Sequence, residues 1–240
     1  MEQYSNLNEV MATKNHLKNG ASLKIRMNKR KIFNLWLFLA LSTAIVVFNS
    51  CHNLDDSTHS STFDEGVVIN GVKWATRNVD TPGTFAANPE NAGMFYQWNR
   101  KKAWLATGEN VTGWDSSIPV GDTWAKSNDP CPAGWRVPTL DELKKLRDTD
   151  KVSREWTTQN GVNGLKFTDK TTGKSPFLPA AGCRYNNDGT LKGVGLNGFY
   201  WLSTQYDTSN AYFISFYRGS TALYYSTTRS LGQSVRAVAK

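Results

Sequence analysis

The side chains able to move a proton or hold a metal are few in this 240-residue chain, and their spacing is unhelpful to catalysis. The three histidines are His16, His52 and His59. All precede Val67, where apolar patterning begins. The region beyond has no imidazole for Ser-His-Asp or Cys-His chemistry, or for zinc sites that need one. Its cysteines, Cys131 and Cys183, are too few for a four-thiolate centre. No glycine-rich phosphate loop is present. Paired carboxylates could serve glycoside hydrolysis, and the closest sets are Asp141/Glu142 and Asp148/Asp150. The first pair is explained by helix capping and the helix dipole, the second by a solvated helix end. Asn186-Asn-Asp-Gly189 offers oxygens for calcium, but a hairpin turn accounts for the same residues more simply. The expectation is therefore no catalytic residue, no metal site and no cofactor.

Aromatic side chains are the remaining chemical resource. Trp74, Trp98, Trp104, Trp114, Trp124, Trp135, Trp156 and Trp201 all follow Val67. Sugar rings and peptide side chains dock on such faces at low entropic cost. Trp74, Trp135 and Trp201 read as core. Trp104, Trp114 and Trp124 fall in an irregular region and are the candidate ligand-binding tryptophans. Tyr224 and Tyr225, neighbours in a strand, must point to opposite faces, which makes them candidates too.

The elements that must position these groups are legible in places. Thr139, with Glu142 three residues on, forms a capping box, and Leu140, Leu143 and Leu146 recur on one face of the helix it opens. Three prolines and a glycine fix the preceding loop, Asp129-Pro-Cys-Pro-Ala-Gly-Trp-Arg-Val-Pro138. Arg136, boxed in that loop, is expected to form a buried ion pair or to stack on indole. Val67–Thr76 holds two strand-like runs about Asn70-Gly71, a hairpin signal. Residues 82–127 show no periodicity. Further strands are expected at Leu165–Phe167, Phe177–Tyr185, Phe199–Ser203, Ala211–Tyr217, Thr221–Tyr225 and Ser234–Val238. Asn186-Asn-Asp-Gly189, Asn197-Gly198 and Arg218-Gly219 are the turn signals between them. One early helix and many late strands suggest an α+β domain with an antiparallel sheet.

The formal charge of +8 is concentrated early. Residues 1–50 carry seven of the 28 Lys/Arg and two of the 20 Asp/Glu, leaving 21 basic and 18 acidic residues, or +3, for the rest. That balance gives no reason to expect a nucleic-acid partner. Lys24, Arg26, Lys29, Arg30 and Lys31 instead precede the apolar run Ile32–Phe48, which ends at Asn49-Ser50-Cys51. This pattern reads as a lipoprotein signal peptide over 27–50, with Cys51 lipidated, for example by palmitate, and held to a membrane by several acyl chains. Phe48 stands where such signals usually have leucine. An uncleaved membrane helix competes with this reading, though the run is near the short limit for spanning. Residues 1–26 read as an extension outside the signal, and 51–66 as a flexible polar tether. With Cys51 assigned to lipid, Cys131 and Cys183 are left as either a disulfide or two free thiols.

Four stretches resemble a known family in its own order: Val72-Lys-Trp-Ala-Thr-Arg-Asn78; Asp129 to Thr139; Leu178-Pro-Ala-Ala-Gly-Cys-Arg184 with Gly198-Phe-Tyr-Trp-Leu-Ser-Thr204; and Ser234-Val-Arg-Ala-Val238. They resemble the Fibrobacter succinogenes major paralogous domain, abundant in Bacteroidota surface lipoproteins, and span 67–240. That pattern is distantly similar to the formylglycine-generating-enzyme and C-type-lectin-like folds. The resemblance implies a C-type-lectin-like α+β domain with an antiparallel sheet, few helices and long irregular loops. It also implies an outer-membrane, lipid-anchored address facing the cell exterior; Asp55-Asp56 resembles the matching export signal. Relatives often carry a cysteine in the closing motif where this chain has Ala237, so a familial partner for Cys131 is missing. The reactive cysteine pair of formylglycine-generating enzymes and the calcium-and-sugar motifs of C-type lectins are missing too. The expected function is a non-catalytic cell-surface lipoprotein that binds an extracellular glycan or protein ligand. An enzyme of formylglycine-generating or carbohydrate-active type, or a structural envelope or fimbrial component, are the alternatives.

Overall fold

Asn70 and Gly71 take positive φ, 45° and 77°, as a two-residue hairpin turn of type I′ requires. They join β1 (Val67–Ile69) to β2 (Val72–Trp74) in antiparallel register. Val67, Ile69, Val72 and Trp74 point inward while Val68 and Lys73 face solvent, the period-two alternation of a half-buried sheet. The computed structural model describes residues 61–219 and 223–240. The leader, Cys51 and the tether as far as residue 60 lie outside the described residues.

The other elements follow in order. They are β3 (Met94–Tyr96), β4 (Ala103–Leu105), a 3-10 turn (Lys126–Asn128), β5 (Trp135–Arg136), α1 (Leu140–Leu146), β6 (Val152–Gln159) and β7 (Val162–Asp169). Then come β8 (Phe177–Pro179), β9 (Cys183–Arg184), β10 (Leu191–Lys192), β11 (Asn197–Gln205), β12 (Asn210–Tyr217), β13 (Leu223–Thr228) and β14 (Val238–Ala239). They form five small sheets, ordered β1-β2-β14-β5, β3-β4, β6-β7-β8, β9-β10 and β11-β12-β13, and the strands within each sheet pair antiparallel. The α+β expectation is thus corrected. The described residues are mostly β, with α1 as their one α-helix. The irregular region from Pro82 to Ser127 contributes a hairpin, and the stretch after α1 contributes the long strand β6. A C-type-lectin-like architecture is not established by this arrangement of small sheets.

The helix forms as its sequence dictates. The Thr139 side chain accepts from the Glu142 N–H, and Glu142 accepts from the Thr139 N–H at 2.8 Å. Leu143 and Leu146 are buried. Residues 61–66, expected as the end of the tether, are docked on the domain instead. Ser61 pairs with Phe85, and the buried Asp64 accepts from the N–H groups of Gly66 and Thr76 and from Arg77.

The sheet β11-β12-β13 has a core on each face. Tyr200, Leu202, Ile214 and Phe216 pack with Leu143, Leu146, Leu165, Phe167 and Trp74. On the other face Trp201 and Phe213 pack with Trp98, Trp124, Trp135 and Tyr96. The C-terminal segment threads between the sheets. Gly232 exchanges backbone bonds with Arg184, Gln233 with Tyr96, and Ser234 bonds Phe199 and Trp201. Val235 and Ala237 then accept from Val79 and Ala75, and β14 fills the gap between β2 and β5. Asn197-Gly198, read from sequence as a turn, lies inside β11. Gly198 is there because a Cβ would overlap the Phe216 ring across the sheet.

Candidate functional site

On the second face of the β11-β12-β13 sheet, paired residues line up as Trp201, Phe213 and Tyr225 across the three strands. Toward one end this face opens into a cleft of about 420 Å³. Phe199 and Phe213 form its floor with ring centroids 6.1 Å apart. Tyr225, half exposed, lies 6.2 Å from Phe213 but outside the cleft lining. The rest of the lining is Cys183, Tyr185, Asn186, Lys192, Gly193, Asn197, Thr227, Thr228, Leu231 and Gln233.

The polar groups here are neutral amides and hydroxyls, with exposed Lys192 as the one charged residue in the lining. The lining holds no carboxylate and no imidazole. The Cys183 thiol is buried, and burial pushes its pKa up to about 11, so it stays protonated at neutral pH. Gln233 is buried with its backbone bonded to Tyr96 in both directions, and its side-chain oxygen finds no partner.

The sequence-predicted aromatics separate sharply. Trp104 and Trp124 are only 5% and 6% exposed, which corrects their assignment as free faces. Trp104 packs on Trp114 at 4.7 Å beneath Lys102. Trp124 packs on Trp98, and its indole N–H donates to Asn128 O at 2.9 Å. A loop without periodicity still needs apolar anchors, and these two supply them. Trp114 is part-buried behind the cleft rim, where its indole N–H holds the Asn186 carbonyl at 2.9 Å. Tyr225 is half exposed on the same sheet face as Phe213, outside the cleft lining. Tyr224 pairs through its backbone with Ile214, and its side chain lies outside the described residues. Trp74, Trp135 and Trp201 are core, as expected.

Cys131 and Cys183 are free thiols, so no disulfide joins them. Burial also raises the Cys131 pKa, aided by Asp129. Asn186–Gly189 is a tight turn. Gly189 has φ 73°, its N–H bonds Tyr185 O, and Asp188 accepts from the Thr190 N–H. Among the described residues no three His, Cys, Asp or Glu side chains gather as a metal site. Asp141 pairs with Lys144 on the surface, and Glu142 forms a two-pronged ion pair with Arg136 at 2.8 and 2.5 Å.

Three arginines escaped the sequence reading. Arg184, Arg229 and Arg236 are at most 1% exposed. Arg184 gives its guanidinium to the carbonyls of Leu105, Thr107, Gly108, Glu109 and Gly189. Arg229 ties the carbonyls of Asn210, Pro119, Gly121 and Asp207 and lies 4.2 Å over Trp98. Arg236 bonds Asn78 Oδ1, Ala75 O and Phe177 O. Burial lowers its pKa to about 10, which leaves it charged at neutral pH. Tyr200 closes this knot, donating to Pro179 O at 2.7 Å. An arginine inside an otherwise apolar motif, such as Val235-Arg-Ala-Val238, is the one sequence signal that pointed to it.

The fold and the cleft define a loop-rich β protein with a cavity on one sheet whose lining holds a single charged residue, Lys192. Residues 52–239 match the family model described as the Fibrobacter succinogenes major domain, and the chain belongs to that family. Neither the curated proteins nor the solved structures searched contain a match.

Proposed function

We propose that this chain is a non-catalytic binding module, anchored by lipid on Cys51 to the outer membrane and facing the cell exterior, where it holds an extracellular glycan or protein ligand. The observation that carries the binding reading is the cleft, which joins an aromatic floor to amide and hydroxyl walls and has no carboxylate or imidazole in its lining. Such a lining binds by contact and hydrogen bonding and offers neither a carboxylate nor an imidazole for proton transfer. The surface address is supported by the basic run, apolar run and cysteine at Lys24–Cys51. No helix among the described residues is long and apolar enough to cross a membrane.

Two measurements on the full chain test this reading. Mass spectrometry of the membrane fraction is expected to find acyl chains on Cys51, with Cys51→Ser releasing the protein from membranes. Incubation with a bound ligand is expected to return it chemically unchanged. An intact, unlipidated cytosolic polypeptide would remove the address, and ligand turnover would remove the non-catalytic role.

A further inference from the structure

We infer that the open edge of the β11-β12-β13 sheet pairs with the same edge of a second copy of this chain, the two β13 strands running antiparallel about a two-fold axis at Ser226. The pairing goes beyond ligand binding and stands or falls apart from it.

The sheet has one covered edge and one open edge. β11 is covered by the C-terminal strap, where Ser234 bonds Phe199 and Trp201. Among the described residues β13 pairs with β12 alone. The phase of that ladder follows from the Arg229 N–H on Ser209 O. Antiparallel bonding alternates, so Tyr225 and Thr227 turn their backbone groups to β12, while Tyr224, Ser226 and Thr228 turn theirs outward. Of these, the Thr228 carbonyl already accepts from the Leu231 N–H at 3.2 Å. Proteins usually protect such an edge with a charge, a proline or a bulge. Leu223-Tyr-Tyr-Ser-Thr-Thr228 has neither charge nor proline, and its register on β12 is unbroken.

Charge selects the second copy. The strand is neutral, but its two ends differ. Exposed Arg218 follows β12 at the end where β13 begins. At the other end Arg229 is buried and spent on carbonyls that include Asp207 O and Gly121 O, with the exposed residues Asp207 and Asp122 beside it. Two antiparallel copies lay the basic end of each along the acidic end of the other. A two-fold contact must be self-complementary, and this edge is. A foreign strand would have to bring the same pattern reversed.

The axis at Ser226 also sets Tyr225 opposite Thr227 of the second copy. Tyr225 is half exposed beside Phe213, and Thr227 lines the cleft. Each copy thereby brings an aromatic ring to the rim of the other's cleft, in an aromatic and β-branched pair of the kind that stabilises sheets.

Sedimentation of the full chain in mild detergent, with bound detergent subtracted, tests the pairing, and thermal unfolding is recorded for each variant. Ser226→Pro removes an outward N–H and spares the β12 ladder, the setting in which an edge strand tolerates proline. Ser226→Lys sets two ammonium groups together at the axis. The wild type is expected at twice the mass of one chain, and both folded variants at the mass of one. Ser226→Cys is expected to form a covalent dimer under a mild oxidant, beyond any linkage in the wild type, which keeps the test open if the other variants fail to fold. A monomeric wild type overturns the inference. So does a dimer that survives either folded variant or does not link through Ser226→Cys. A monomer with slow hydrogen exchange at 224–228 overturns it too, by showing that residues 51–60 or a foreign peptide cover the edge instead.

Discussion

Glu142 serves two masters. Its carboxylate caps α1 through the Thr139 N–H and grips Arg136 with both oxygens. Burial acts to raise its pKa, but the bonds from Arg136 and Thr139 outweigh burial and hold it below the ordinary glutamate range. The folded value therefore lies beneath the unfolded one. The stabilisation is complete above the unfolded value and is lost as pH falls through the folded one. Glu142→Gln is expected to cost about 1 kcal/mol at neutral pH, as one part-exposed ion pair is worth. In thermal melts the gap between variant and wild type should close as the solution is acidified below the usual glutamate range. A gap that stays constant with pH would mean the charge contributes nothing. This cap was legible in sequence because it is local, a threonine and a glutamate three residues apart. The buried arginines were not, since a charged side chain is normally at the surface and its carbonyl partners lie far along the chain. Arg236 reaches Asn78 across 158 positions.

At the scale of elements, strands with clean patterns were readable and those defined by tertiary contact were not. The Asn70-Gly71 hairpin and the strands around Phe199 and Ala211 follow their sequence. β6 was missed because Ser153-Arg-Glu155 interrupts its apolar content and only one residue of the strand, Val152, is fully buried. Asn197-Gly198 misled in the opposite sense. The dipeptide carries a strong turn signal, yet the glycine is required by a ring on the neighbouring strand. Gly198→Ala is expected to destabilise the protein by about 1–3 kcal/mol, the usual cost of overpacking, because its methyl would collide with Phe216. Chemical denaturation measures this, and an unchanged midpoint would show that the ring simply moves aside. The cleft's aromatic floor, by contrast, was not singled out. Phe199 and Phe213 read as ordinary strand residues, and only the register of β11 with β12 brings them together.

The whole molecule depends on its last residues. The segment from Gly232 to Lys240 pairs with β9, β3, β11, β2 and β5 in turn and ends with the Lys240 N–H on Gly134 O. Contacts so distant in sequence form late and carry much of the cooperativity. A chain ended at Leu231 is expected to show no cooperative unfolding transition by circular dichroism, and a sharp one would show that the sheets hold without their strap. The arginine ties complete this architecture and have a further effect. Arg184 holds the 105–109 loop by main-chain oxygens alone, and most of its grip on Thr107 and Glu109 is blind to what those residues are. The course of the loop is thereby uncoupled from its lettering. The side chains of Thr107 and Glu109 can therefore change, acid for base or polar for oily, while the guanidinium still finds the same oxygens.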